Sequence, residues 1–221
     1  MSRTKEDEAT PVPRWRRRKA ERPAEMLEAA LAVFIEKGFS AARIEDIARA
    51  AGVTKGTVYL YFPSKQAMFE AVIRQAMVSR LDEARALFED HEGPVAPLLR
   101  RIIEDFGPRI AMTNLAAIAR LVIAEAGNFP EIARFYRHEV IARGEDLFGR
   151  IYARGVAGGE FPDLPVDVVT KLVIGPVLIT AIWRTTFAPV DERPFDPVAV
   201  ISTHARVLTA GLRALAEEEK P

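Results

Sequence analysis

The spacing of the apolar residues constrains this chain more than any other feature. They recur at intervals of three and four residues throughout, as Leu27, Leu31 and Phe34 do in the first such segment. No segment alternates between apolar and polar residues as a half-buried strand would. The sequence therefore predicts an all-α fold. With 221 residues, 49% of them hydrophobic, the chain is able to bury a sizeable core.

Glycine, proline and capping residues divide this pattern into helices. A first helix is expected from near Pro23 to Gly38, and two short helices follow at 44–51 and 55–62. Longer helices are expected at 64–88, 95–111, 114–126, 129–154, 165–187 and 197–216. We predict three parts: a basic, disordered arm at 1–22, a three-helix domain at 23–66 and a larger helical domain at 67–221.

The composition excludes several classes of protein. The chain has no cysteine, so it carries no disulfide framework, thiolate metal site or cysteine nucleophile, which fits a cytoplasmic protein. His91, His138 and His204 lack the spacing of metal ligands. Polar residues interrupt the apolar stretch 166–182, which favours a core or interface helix over a membrane span. We therefore expect no metal, no other cofactor and no membrane partner.

The distribution of charge is uneven although the net charge is zero. Residues 1–65 hold 13 basic and 9 acidic side chains, and the rest of the chain carries the matching acidic excess. A basic N-terminal part attached to a neutral or acidic body is typical of a nucleic-acid binder.

The segment 44–65 contains both short helices. Ile44 and Ile47 fall on one face of the first helix, and Val58 and Phe62 face inward from the second. Hydroxyl, ammonium and amide donors remain on the outer side of the second helix, at Thr54, Lys55, Gly56, Thr57, Tyr59 and Tyr61. Such donors suit phosphates and base edges. A compact helix pair with a polar outer face would show the same pattern.

The same segment resembles the N-terminal domain of TetR-type regulators. Their pattern is IA-x-x-AGV-[ST]-x-G-x-[LV]-Y-x-x-F-x-[ST]-K. This chain matches it at Ile47-Ala48, Ala51-Gly52-Val53-Thr54, Gly56, Val58-Tyr59, Phe62 and Ser64-Lys65. The resemblance covers roughly residues 24–75. It implies that Lys55, Thr57 and Tyr61 face the major groove, that Thr54, Gly56 and Tyr59 approach the DNA backbone, and that Lys65 meets a phosphate.

Two residues depart from the family pattern, and one segment lies outside it. Tyr61 stands where the family often has histidine, and Arg43 stands where a small hydroxyl residue often caps the second helix. Arg43 cannot accept the capping hydrogen bond, so we expect it to reach a phosphate instead. The arm contains Arg16, Arg17 and Arg18, which we predict to contact DNA. A solvated tail and a membrane-surface or targeting segment are the alternatives for this arm.

The resemblance also implies a function. It identifies a homodimeric regulator of transcription, most simply a repressor that leaves a palindromic operator when a small molecule binds the C-terminal domain. A ligand-independent or activating regulator is the alternative within DNA binding, and a helical enzyme or interaction protein is the alternative from another class. No catalytic motif occurs, so an enzyme is not expected.

The C-terminal half supplies candidates for dimerisation and for effector binding. Apolar residues of the last two long helices are candidates for the dimer interface, unless they only cover the protomer's own core. They are Ile174, Val177, Leu178, Ala181, Ile182, Val200, His204, Val207, Leu208 and Gly211. A mainly apolar set with a few polar anchors is a candidate effector pocket, although many of its members also suit a plain core. It comprises Phe106, Met112, Leu115, Arg120, Leu121, Glu125, Phe135, Tyr136, Phe148, Tyr152 and Trp183.

Overall fold

The computed structural model describes residues 14–220, with side chains from Arg22 onward. Within this range every regular element is a helix, which confirms the all-α prediction. The helices are α1 (Arg14–Ala41), α2 (Ile44–Ala50), α3 (Lys55–Tyr61), α4 (Lys65–Ile73), α5 (Ser79–Glu89), α6 (Val95–Met112), α7 (Leu115–Glu125), α8 (Pro130–Tyr136), α9 (Ala142–Ala157), α10 (Val166–Thr186) and α11 (Pro197–Glu218). A π-helical turn joins α4 to α5, and another joins α8 to α9.

The first helix begins earlier than expected. It starts at Arg14 and passes through Pro23, so residues 14–22 are helical, which differs from the disordered arm predicted there. Arginine, lysine, alanine and glutamate are strong helix formers, and they outweigh the proline here. Residues 1–13 of the predicted arm lie outside the described part of the chain. The backbone leaves helical geometry at Gly38, where φ is +78° and glycine is the residue that tolerates it.

Caps fix the two short helices and the start of α4. The hydroxyl of Thr54 accepts a hydrogen bond from the backbone N–H of Thr57, and that of Ser64 accepts one from Ala67. Arg43 occupies the N-cap of α2 without a side-chain hydrogen bond, as predicted. The chain turns between α2 and α3 at Gly52, where φ is +64°. These local signals fix the ends of α2, α3 and α4 and the turn between α2 and α3.

The helices enclose two apolar cores. The first contains Phe34, Ile47, Val58 and Phe69, and α7 and α8 add Ile118 and further residues to it. The N-terminal helices therefore pack directly on α7 and α8, and they are also connected to the rest of the chain through α4. The second core lies among α5, α6, α7, α9, α10 and α11.

The second core brings α6 and α11 very close together. A side chain at Gly107 would place its Cβ only 2.7 Å from Cγ2 of Ile201, so no larger residue fits without displacement. A buried hydrogen bond from the Tyr152 hydroxyl to the carbonyl of Pro162, 2.5 Å long, ties α9 to the loop before α10. These contacts leave α10 and α11 side by side at one surface.

The stretch 166–190 is apolar and long enough to cross a membrane by length and composition. Its inner side packs in the protein, where Val169, Val173 and Val177 are buried. Its outer side carries the exposed residues Leu172 and Ile179. A core helix with one buried and one exposed side accounts for the same composition.

Candidate nucleic-acid interface

One side of α3 faces the core and the other is open to solvent. Val58 and the following Phe62 are buried. Lys55, Gly56 and Tyr59 are exposed, as the sequence pattern predicted. Thr57 is half-buried, so it lies at the edge of the exposed face.

Tyr61 is less exposed than the sequence analysis expected, and its neighbour Leu60 is highly exposed. Tyr61, predicted to face the major groove, is half-buried and packs against the first core. Leu60, which the sequence analysis passed over, is 83% exposed. The signal for Leu60 was available: each helical residue advances about 100°, so position 60 lies about 160° from both Val58 and Phe62, on the outer side of the helix, whereas position 61 lies at the edge of the inner side.

Lys55 is held in place by an exposed ion pair. Its ammonium lies 2.5 Å from Oε1 of Glu45 on α2 and 5.7 Å from the centre of the Tyr59 ring. The hydrogen bond between the two side chains raises the pKa of Lys55 and lowers that of Glu45. Because both groups are exposed, the pair contributes little stability and can exchange its carboxylate for a phosphate or a base edge.

Further cations border this surface. Arg43 is exposed, which is compatible with the predicted phosphate contact. Arg49, at the end of α2, is also exposed and pairs with Asp46 at 3.3 Å. Sequence reasoning missed Arg49, although its position on the outer side of α2 follows from the buried Ile47 and Ala48. The side chains of Arg16, Arg17 and Arg18 lie outside the described part of the structure.

Lys65 is directed at the protein's own backbone. Its ammonium donates hydrogen bonds to the carbonyl oxygens of Phe39, Ser40 and Ala42, at 2.7, 3.0 and 3.0 Å. It also lies 4.6 Å from the centre of the Phe39 ring. Burial lowers the pKa of Lys65, while the nearby carboxylate of Glu125 opposes this change. The ammonium therefore caps the end of α1, which differs from the phosphate contact expected from the sequence.

Glu125 and Phe129 connect this corner to the C-terminal helices. Oε1 of Glu125, at the end of α7, accepts a hydrogen bond of 3.1 Å from the backbone N–H of Ser40. The Phe129 ring packs edge-on against Phe39, with 4.9 Å between centroids. We call Glu125, Phe129 and the turn 39–42 the clasp. Glu125 was predicted to anchor a ligand, but the packing of α7 on α1 aims it at the N-terminal helices.

The other predicted pocket residues do not surround one cavity. Leu121 and Tyr152 are buried in the two separate cores, and burial raises the pKa of Tyr136 to about 12. Exposed side chains are Met112, Arg120 and Trp183. Half-buried ones are Phe106, Phe135 and Phe148, of which two lie beneath arginines. The structure does not bring these residues together, because the periodicity of a helix identifies its inner side but not which core that side joins.

Leu115 alone of this set lines an open groove between the N-terminal and C-terminal helices. The groove has a volume of about 370 Å³ and takes residues from α1, α4, the first π-helical turn, α5, α6 and α7. Its lining residues are Leu27, Glu28, Leu31, Val72, Gln75, Ala76, Arg80, Arg109, Thr113, Asn114 and Leu115. The groove thus has an apolar floor and a rim of polar and charged groups.

Two arginines of this rim share one carboxylate. Arg80 pairs with Oε1 of Glu83 at 2.6 Å, and Arg109 approaches Oε2 of the same residue at 3.4 Å. Glu83 balances one of these two positive charges, and Glu28, which also lines the groove, adds a second carboxylate. Among residues 14–220 no cluster of acidic residues and histidines suits a metal ion.

The candidate interface residues divide by exposure. Val177 and Ala181 are buried within the protomer, so they belong to its core and not to a free surface. Exposed members are Val200, Val207 and Gly211, and half-buried members are Ile174, Leu178, Ile182, His204 and Leu208. The structure adds Val168, Leu172, Ile179 and Trp183 as exposed apolar residues of α10 at helical spacing. We call these exposed and half-buried residues of α10 and α11 the apolar face.

Two protein families match this chain, one over its N-terminal helices and one over its C-terminal helices. Residues 26–72 match the family described as bacterial regulatory proteins of the tetR family, and residues 90–199 match the tetracyclin repressor-like C-terminal domain. The HTH-type transcriptional regulator RutR of Escherichia coli K12 is 34% identical over 181 residues, which span 76% of this chain and 74% of RutR. The HTH-type transcriptional repressor KstR2 of Mycolicibacterium smegmatis is 26% identical over 174 residues, 78% of this chain and 83% of the relative.

Solved structures share the fold. The fatty acid degradation regulator FadR of Bacillus halodurans superposes with a TM-score of 0.73 at 22% identity, over 87% of this chain and 96% of that one. FadR of Bacillus subtilis, solved in complex with stearoyl-CoA, superposes with a TM-score of 0.64 at 22% identity, over 85% of this chain and 98% of that one. At this level of identity the likeness concerns the arrangement of helices.

Proposed function

The chain belongs to the TetR family of bacterial regulatory proteins, and we propose that it is a cytoplasmic repressor that leaves its operator when a small molecule binds. The observation that carries the DNA-binding part is the exposed side of α3. There Lys55, Tyr59 and Leu60 project away from a capped, rigidly packed helix pair. A helix of this kind enters the major groove and presents its side chains to base edges.

We propose that the DNA contacts divide into two kinds. Tyr59 and Leu60 lie toward the bases, with Gly56 allowing close approach, and Lys55 lies where its ammonium can contact both a base edge and a phosphate. Arg43, Thr54 and Thr57 lie toward the phosphates, together with the exposed Arg49. Lys65 acts indirectly, because it holds the end of α1 against the start of α4.

We propose a twofold dimer formed through the apolar face. Two copies of α3 must reach successive major grooves, roughly 34 Å apart, so the operator is expected to be an inverted repeat. The exposed stripes of α10 and α11 lie side by side, and two copies bring four helices together. Burying this surface also explains why one side of the apolar stretch 166–190 is exposed in one protomer.

The groove at Leu115 is our proposed effector site. Its volume suits a small molecule, and its apolar floor with an arginine-bearing rim suits an amphipathic compound with an acidic group. Residues of α1 and of α6 and α7 line the same groove, so a ligand there contacts both parts of the molecule. The π-helical turn that contributes Gln75 and Ala76 is a local irregularity of a kind often found at functional sites.

The clasp and α4 link the groove to the N-terminal helices, so a ligand in the groove can change the position of α3. A ligand that separates α1 from α7 would strain the Glu125–Ser40 hydrogen bond and shift the N-terminal helices of each protomer. This changes the spacing of the two α3 helices. The effect requires that the ligand binds the altered conformation better, and operator DNA must then weaken ligand binding by the same factor.

Two experiments test the proposal. Selection from a random DNA library should enrich one inverted repeat, and the dimer should bind it at least about a thousandfold more tightly than unrelated DNA. Titration of amphipathic acids against the protein, with and without that operator, should then find a compound whose affinity the operator lowers.

The two experiments can fail separately. Absence of any enriched repeat would contradict DNA recognition. An operator together with no compound that changes its affinity would favour the ligand-independent regulator, a second candidate supported by the dispersion of the predicted pocket residues over two packed cores.

A further inference from the structure

Gly56 and Leu60 lie on the side of α3 that is farthest from the core. Successive residues of an α-helix are about 100° apart, so positions 56 and 60 lie nearly opposite the buried Val58 and Phe62. Gly56 has no side chain, and a Cβ added there would meet nothing closer than Oγ1 of Thr54 at 3.8 Å. Leu60 is therefore the side chain that extends furthest from the core, one turn beyond a bare stretch of backbone.

Leu60 is unusual for its surroundings as well as for its exposure. Between Arg22 and Ile73, the exposed large apolar residues are Tyr59, at 44%, and Leu60, at 83%. They are adjacent and lie beside the charged pair of Lys55 and Glu45. The N-terminal helices thus bury their apolar residues in the first core except at this one place on the face proposed to meet DNA.

We propose that Leu60 determines operator specificity by packing against the 5-methyl group of a thymine in the major groove. This inference rests on the proposed DNA-binding function. The thymine methyl is the apolar group that base pairs display in the major groove, and the other groups there are hydrogen-bond donors and acceptors. A leucine opposite any of those groups would leave them without a partner, which costs affinity. Polar neighbours such as Lys55 are left to contact phosphates and guanine edges.

Replacing thymine by deoxyuridine tests the contact directly, because it removes the methyl group and keeps every hydrogen bond of the base pair. The full-length dimer is first used to select its operator from random DNA. Each thymine of one half-site is then replaced singly, and affinity is measured by fluorescence anisotropy at fixed salt. We expect one thymine whose replacement weakens binding about fourfold, the factor that corresponds to about 0.8 kcal/mol for a buried methylene group.

A double-mutant cycle assigns the effect to Leu60. In Leu60→Ala, binding to the thymine operator should be weaker, and replacement of the sensitive thymine should make no further difference. In the control Lys55→Ala, binding should weaken while the fourfold sensitivity to deoxyuridine remains. Because Leu60 is exposed, its substitution is expected to leave the thermal unfolding temperature unchanged, so a folding defect is separable.

The outcomes separate this inference from the function on which it rests. If no operator can be selected, the DNA-binding proposal and this inference both fail. If an operator is found but no thymine replacement is coupled to Leu60, DNA binding stands and the proposed contact is overturned. Equal sensitivity of the parent and Leu60→Ala to every deoxyuridine would overturn it in the same way.

Discussion

The substitution Lys65→Met distinguishes a lysine that caps a helix from one that binds a phosphate. Methionine keeps most of the unbranched side chain beside the Phe39 ring and removes the ammonium. The carbonyls of Phe39, Ser40 and Ala42 then lose a donor at 2.7 to 3.0 Å. The end of α1 is expected to loosen where it meets the start of α4.

The magnitude follows from these contacts. A hydrogen bond to a charged group contributes about 1.5 to 3 kcal/mol, and water replaces part of it where the carbonyl is near the surface. Because the three carbonyls share one ammonium, we expect its removal to lower the free energy of unfolding by about 2 to 3 kcal/mol. Loss of the cation–π contact with Phe39 lowers it by about 0.5 kcal/mol more. For a chain of this length 1 kcal/mol shifts the unfolding temperature by roughly 2 to 4 °C. The variant should therefore melt about 5 to 14 °C below the parent.

Two measurements decide the matter, with Lys55→Met as the matched control. Calorimetry should find a lower melting temperature for Lys65→Met and an unchanged one for Lys55→Met, because the latter lysine is exposed. The slope of log affinity against log salt should remain unchanged for Lys65→Met. For Lys55→Met it should become shallower by about one unit per phosphate lost. A Lys65→Met protein with the parent's melting temperature and a shallower salt slope would refute our assignment.

Three further predictions concern the rest of the molecule. Val207→Glu places an unpaired charge in the apolar face, so sedimentation should show dimer association weakened at least about a hundredfold, whereas a dimer as tight as the parent would place the interface elsewhere. Glu125→Ala removes the acceptor of the Ser40 N–H, and exchange of that amide with solvent should accelerate about fivefold to tenfold without change in α11. Burial lowers the pKa of His204 despite an opposing hydrogen bond with Val173, so the folded state favours the neutral ring. The stability that this preference contributes is present above the ordinary histidine pKa of about 6.5 and is lost as the pH falls through the pKa of His204 in the folded state. In His204→Asn, denaturant titrations should therefore show a free energy of unfolding that depends less on pH.

Local physics accounts for what the sequence by itself determined. Helices, their caps and their approximate ends depend on residues close together in the chain, as the Ser64 cap and the Asp196-Pro197 start of α11 illustrate. The exposed donors of α3 follow from the same periodicity, because the buried Val58 and Phe62 define its inner side. The family pattern is compact for this reason, and the all-α class and the nucleic-acid face could both be predicted.

Only the tertiary structure decided which distant groups meet. Lys65 caps α1 and Glu125 contacts Ser40, 85 residues away, because α4 and α7 converge on one corner that no local spacing reveals. The predicted pocket residues separate into two cores because α7 and α8 pack on the N-terminal helices while α9 to α11 enclose another interior. Periodicity gives each helix an inner side but does not choose its partner, since that choice depends on how all the helices pack together.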